Sequence, residues 1–139
     1  MIKFTASTIS DIPQIAEWIA ADPYHKHQGQ PEWWLTGSGL LTFCLQDDKG
    51  PLTFVRLDEE GEHVRIHTQF APKEIVSQRR LLLGMIDCLT ELVKIYRTQS
   101  RAGLIFNSVS PTLVAFMEKC FDFKSVGGDD YRLDFEVQK

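Results

Sequence analysis

The chain has 139 residues, a net charge of −4, 43% hydrophobic residues and three cysteines. That length suits one domain, 1–139, able to bury a core, and neither charge nor apolar fraction is extreme, so no internal linker is expected. The negative charge without a basic stripe argues against a nucleic-acid binder, and no stretch reaches membrane-span length or reads as an export signal, so a cytoplasmic protein without membrane partners is expected.

In chain order, Ile2 to Ala6 reads as a strand. Ser10 and Asp11 then open a helix through Ile15, Ala16, Trp18 and Ile19 to Ala21, and Pro23 ends it. A polar and aromatic segment runs from Tyr24 to Gly39, within which Pro31-Glu32-Trp33-Trp34-Leu35 predicts a short helix stopped by Gly37. Leu40 to Gln46, Pro51 to Leu57 and Glu62 to Phe70 read as antiparallel strands, joined by acidic turns at 47–50 and 58–61. In the last of these, Val64, Ile66, Thr68 and Phe70 alternate with His63, Arg65, His67 and Gln69, giving one apolar and one polar face. A long helix from about Glu74 to Thr98 follows, its buried stripe marked by Leu82, Met85, Ile86, Leu89, Val93 and Tyr96.

The strand Gly103 to Val109 leads into a helix that Ser110 caps and Pro111 starts, with Leu113, Phe116, Met117 and Cys120 on one apolar face. Phe121 to Val126, the turn 127–130 and Tyr131 to Val137 read as a closing hairpin. Cys44, Cys88 and Cys120 are odd in number and lie in apolar segments, which favours buried reduced thiols over disulfides or a metal site. His25 and His27 have a spacing found in metal sites, but no cluster with ligand spacing accompanies them, so a solvated loop and no metal are expected.

The helix after Ser110, ending in Phe121-Asp122-Phe123 where Leu-Gly-Phe is usual, resembles the C-terminal half of the GNAT acyltransferases, and the order of elements resembles that family over nearly the whole chain. The resemblance implies an α/β (α+β) fold, a central, mostly antiparallel mixed sheet that splays between its fourth and fifth strands with helices on both faces. It also implies an acetyl-CoA-dependent N-acetyltransferase acting by direct transfer to a small-molecule or peptide amine, and a homodimer through the last strands. Phe70-Ala71-Pro72 resembles the family's exit from strand four, where the backbone from Gln69 to Ala71 would hold pantetheine. The pyrophosphate loop, Arg/Gln-x-x-Gly-x-Gly/Ala, falls on Gln78, with Leu81 and Leu83 at the two small positions; side chains there occupy space that glycine leaves to an anion. Arg79 and Arg80 read either as compensating phosphate clamps or as solvated first-turn arginines.

The family's catalytic tyrosine position reads Met117, which cannot donate a proton. On strand four His67 is the best candidate base, since its ordinary pKa lies near neutrality; the plain alternative is a packed histidine with one hydrogen bond. Trp33 and Trp34 fall where the family lines its acceptor groove, and read either as an amine site using cation–π contact or as core and subunit contacts. The carboxylates Asp47, Asp48, Asp58, Glu59, Glu60 and Glu62 favour a cationic acceptor if they ring that groove, and otherwise solubility. The lost glycines motivate a second reading, a catalytically degenerate domain with a binding or structural role, like the GNAT-like internal virion proteins of some short-tailed phages.

Overall fold

The computed structural model describes residues 2–25, 30–37 and 41–135. Its elements are β1 (Lys3–Ala6), a 3-10 turn (Ile9–Asp11) leading into α1 (Ile12–Ala21), a 3-10 helix (Pro31–Leu35), β2 (Leu41–Asp47), β3 (Gly50–Glu60), β4 (His63–Phe70), α2 (Gln78–Thr98), β5 (Gly103–Asn107), α3 (Pro111–Phe121), β6 (Lys124–Gly127) and β7 (Asp130–Asp134). The strands form a seven-stranded sheet in the order β1-β2-β3-β4-β5-β7-β6. Every pairing is antiparallel except β4 with β5, which run parallel and pair only from His63–Arg65 to Gly103–Ile105. Beyond Arg65 the two strands part, which is the splay the resemblance implies.

Alternation along β3 and β4 sorts their side chains onto two faces. Phe54 and Arg56 pair with Gln69 and His67. This face is covered by α1, whose Trp18 lies 5.1 Å from Phe54, and by the 3-10 helix, whose Trp33 lies 4.9 Å from His67. The opposite face, with Val55, Leu57, Val64 and Ile66, buries against α2 through Met85, Cys88, Leu89, Leu92 and Tyr96. The register shift after Leu45 leaves Leu52 as an extra residue of β3, and α2 sits on it so closely that a Cβ at Gly84 would lie 2.8 Å from the Leu52 side chain.

Several boundaries differ from the sequence expectation for identifiable reasons. β3 continues through Asp58, Glu59 and Glu60, because each finds an arginine: Asp58 with Arg56, Glu59 with Arg101 and Glu60 with Arg65. The turn there is therefore Gly61-Glu62, with Gly61 at φ +60°. α2 starts at Gln78, not near Glu74, because the Ser77 side chain accepts the Arg80 N–H and caps it. Ile86, expected in the stripe, is 37% exposed, and the stripe centres instead on the line through Met85, Cys88, Leu92 and Tyr96. Cys120 is exposed, whereas Cys44 and Cys88 are buried and their thiols pushed up by burial, to about 11 and about 12. Asp122 ends α3 in the left-handed conformation at φ 60°, the geometry expected where the family places glycine. Val137 and His27 lie outside the described residues.

Candidate functional site

The splay opens a cleft of about 1090 Å³, at the upper end of small-molecule and cofactor sites. Its walls are the end of β4 from His67 to Phe70, the loop from Ala71 to Glu74 with the start of α2, the end of α1 with the turn Pro23–His25, the 3-10 helix, and the loop from Asn107 into α3.

Ala71 N–H bonds the Leu52 carbonyl at 2.9 Å, and the Gln69 carbonyl accepts the Thr53 hydroxyl at 3.0 Å. In an antiparallel ladder alternate residues direct N–H and C=O to opposite sides. Gln69 and Ala71 therefore face β3, and Thr68 and Phe70 direct their backbone groups into the gap, where no described strand pairs with them. The strand thus offers an extended ligand the N–H and C=O of Thr68 and the N–H of Phe70, whose carbonyl already accepts the Gln69 side-chain amide at 3.3 Å, and not the groups of Gln69 and Ala71. At the other end of the cleft, the first-turn amide of Gln78 precedes the helix's own bonding, and Lys73 lies on the same wall.

His67 is mostly buried at the cleft wall. Its Nε2 lies 3.3 Å from Asp58 Oδ2. Arg56 holds that carboxylate from the other side, with Nε donating to Oδ2 at 3.0 Å and Nη2 to Oδ1 at 3.1 Å. The same guanidinium donates through Nη1 to the Trp33 carbonyl and lies 4.2 Å from the centre of the Trp33 ring. Burial, the largest cause, pulls the His67 pKa below 6.5; Asp58 opposes it, and Arg65 and Arg56 add to it. The imidazole is thereby kept neutral and able to accept a proton at neutral pH.

A second polar group, absent from the sequence expectation, sits beside it. Gln69 has no exposed surface, and its side chain joins His25 and Asp22, both on the cleft wall. The periodic pattern places Gln69 on a polar face and His25 in a loop; only the packing of α1 on β4 brings them together.

Of the residues singled out from the sequence, His67, Trp33, Trp34, Gln69, Phe70, Ala71, Gln78 and Leu81 come together around this cleft. Arg79, Arg80 and Leu83 are not on its wall. Arg80 pairs with Asp47 through two bonds of 2.7 Å, which lower the Asp47 pKa to about 2. Leu83 is 49% exposed on the surface of α2, and both leucines lie within the helix. Arg56 already covers the Trp33 ring, and Trp34 is 6% exposed, touching Trp33 edge to face. Asp47, Asp58, Glu59 and Glu60 are bound to arginines and do not line the cleft. Met117 is 1% exposed in the core, and Tyr131 stacks on Phe106 at 5.4 Å.

The architecture matches that of solved acetyltransferases. The ribosomal-protein-S18-alanine N-acetyltransferase of Escherichia coli superposes with a TM-score of 0.68 at 15% identity, over 100% of this chain and 97% of that one. Mutant forms of the spermidine/spermine N-acetyltransferase of Vibrio cholerae give 0.67 at 14% identity, over 97% of this chain and 94% of that one. A GNAT-family acetyltransferase of Brucella melitensis in complex with acetyl-CoA gives 0.63 at 11% identity, over 100% and 91%. The chain therefore has the GNAT fold. No protein-family model and no curated protein matches its sequence.

Proposed function

We propose that the chain is an acetyl-CoA-dependent N-acetyltransferase that transfers the acyl group directly to a small-molecule or peptide amine. The observation that carries this reading is the cleft where β4 leaves β5, with a strand edge that no described strand covers on one side and a neutral imidazole on its wall. Bound acetyl-CoA would supply an acyl thioester open to attack by an amine. The backbone groups of Thr68 and the Phe70 N–H suit an extended amide chain lying along β4. The amide of Gln78, with the Lys73 ammonium, suits phosphate oxygens. These assignments fit the donors present, although Leu81 narrows the cleft where the family places a small residue.

An amine attacks only as its free base, so the ammonium proton must leave first. Asp58 beside Nε2 favours a proton on that nitrogen and leaves the His67 Nδ1 lone pair to accept it. Arg56 fixes Asp58 and, through the Trp33 carbonyl, the 3-10 helix that forms this wall. A cytoplasmic setting is supported by the unpaired thiols of Cys44 and Cys88, and a homodimer by the position of β6 at the sheet edge with Val126 47% exposed.

Leu81 on the cleft wall, together with the engagement of Arg80 by Asp47, favours a second reading, a domain that keeps the fold without catalysis and acts by binding or assembly. Incubation with acetyl-CoA and a panel of amines, read as free thiol released and acylated product by mass spectrometry, separates the two. Amine-dependent release that falls at least tenfold in His67→Ala is expected. No release with any amine would favour the second reading.

A further inference from the structure

The amide of Gln69 is unused by the reaction outlined above. A buried glutamine is costly unless its polar atoms find partners. Gln69 Nε2 donates to Asp22 Oδ2 at 3.0 Å, to the Phe70 carbonyl at 3.3 Å and to the Trp18 carbonyl at 3.4 Å. Three acceptors around one end of the amide identify that end as the nitrogen. The other end, Oε1, lies 2.8 Å from His25 Nδ1. An amide oxygen only accepts, so Nδ1 is the donor. Asp22 Oδ2, 3.3 Å from the same Nδ1, makes the same demand. Both partners therefore select the neutral tautomer with its lone pair on Nε2. Asp22 is itself fixed, because its Oδ1 accepts the Tyr24 N–H at 2.8 Å.

From this geometry we propose that His25 is a second proton acceptor of the cleft, presenting Nε2, and that Gln69 and Asp22 are its positioning residues. The orientation stands on the hydrogen bonds alone; the catalytic role rests on the acyl-transfer reading. An ammonium that becomes an amide N–H loses two protons, one before its nitrogen attacks and one as the C–N bond forms and the C–S bond breaks. One of them ends on the departing thiolate and the other in solvent, so the balance needs no further reactant. His67 and His25 line the same cleft, and each proton then has an imidazole to receive it. A base turned by a buried partner is the usual arrangement for proton transfer in enzymes. The tie between α1 and β4 is what keeps His25 at the cleft.

Two measurements on the full chain test this. Long-range proton–nitrogen NMR at alkaline pH, with His25→Gln to identify the resonances, should show the Nδ1–H tautomer for His25. Gln69→Met, of similar volume, should shift the tautomer population toward Nε2–H. An Nε2–H tautomer in the unmodified chain would overturn the proposal, whether or not Gln69→Met folds. In the transfer assay His25→Ala should lower kcat at least tenfold with a smaller change in KM, and an unchanged kcat would return His25 to a structural role. A chain inactive toward every amine would sink acyl transfer and with it the catalytic role of His25, while the tautomer would still test the positioning by Gln69 and Asp22.

Discussion

Replacing Arg56 by Met tests whether the wall of the cleft is held by one buried cation. Its side chain is 6% exposed and carries two bonds to Asp58, one to the Trp33 carbonyl and the contact with the Trp33 ring. Met keeps most of the apolar volume but leaves the Asp58 carboxylate short of donors, while the Trp33 carbonyl keeps the Thr36 N–H at 3.2 Å. Removing one partner of a buried ion pair costs about 3–5 kcal/mol, and Asp58 at 24% exposed regains some water, which places the expected loss near the lower bound of about 3 kcal/mol. For a chain of this size that lowers Tm by about 10 °C. Urea denaturation of Arg56→Met, Asp58→Asn and the double variant gives the coupling. The double variant should be more stable than the sum of the singles by about 1–2 kcal/mol, because it leaves no stranded carboxylate. In the same samples the His67 pKa should rise in Arg56→Met and fall in Asp58→Asn, since the arginine lowers it and the carboxylate raises it. A loss under about 1 kcal/mol with additive singles would refute the clamp.

Because burial lowers the His67 pKa below 6.5, the unfolded chain binds more protons between the two values; this contribution to stability is complete above the ordinary value and is lost as pH falls through the folded one. Thermal melts from about pH 7 to about pH 5 should therefore fall more steeply for the unmodified chain than for His67→Gln, and parallel curves would contradict the depressed pKa. Gly103→Ala would place a Cβ 2.0 Å from the Leu133 carbonyl oxygen and 3.0 Å from the Asp134 Cα, both backbone atoms of β7. It should cost at least about 2 kcal/mol by urea denaturation, and a neutral substitution would show that β5 and β7 are not so close. Leu81→Ala should tighten cofactor binding measured by calorimetry and Leu83→Ala should leave it unchanged, because only Leu81 lines the cleft; equal effects would place the anion site elsewhere on α2.

The elements with strong local signals are legible from the chain alone. Ser110 and Pro111 start α3 as expected, the alternation of β4 sorts its faces, and the expected order of strands and helices is the order observed. What the sequence obscures depends on side-chain pairings that no periodic pattern encodes. The carboxylates at 58–60 read as a turn because an acidic run carries a turn signal, and the pattern does not show that Arg56, Arg65 and the distant Arg101 will pair with them and extend β3. Helix propensity at Glu74 suggests an early start for α2, whereas the cap at Ser77 and the turn bonds of Ile75 and Val76 to Pro72 fix it later. Trp33 and Trp34 read as a cation site until Arg56, more than twenty residues on, fills the ring face. The tie of His25 to Gln69 spans 44 residues, beyond the reach of any periodicity. One signal is present in the sequence: a glutamine in a central strand calls for a specific partner once its face is covered.

The central claim is that the gap beside β4 and the start of α2 together hold an acyl-CoA. Calorimetric titration of the full chain with acetyl-CoA, with dephospho-CoA as the control for the 3′-phosphate, tests it whatever the acceptor amine is. Micromolar binding that is strengthened by Leu81→Ala and unchanged by Leu83→Ala is the expected result. No heat at millimolar cofactor would contradict it, and would leave a GNAT fold whose cleft serves some other ligand.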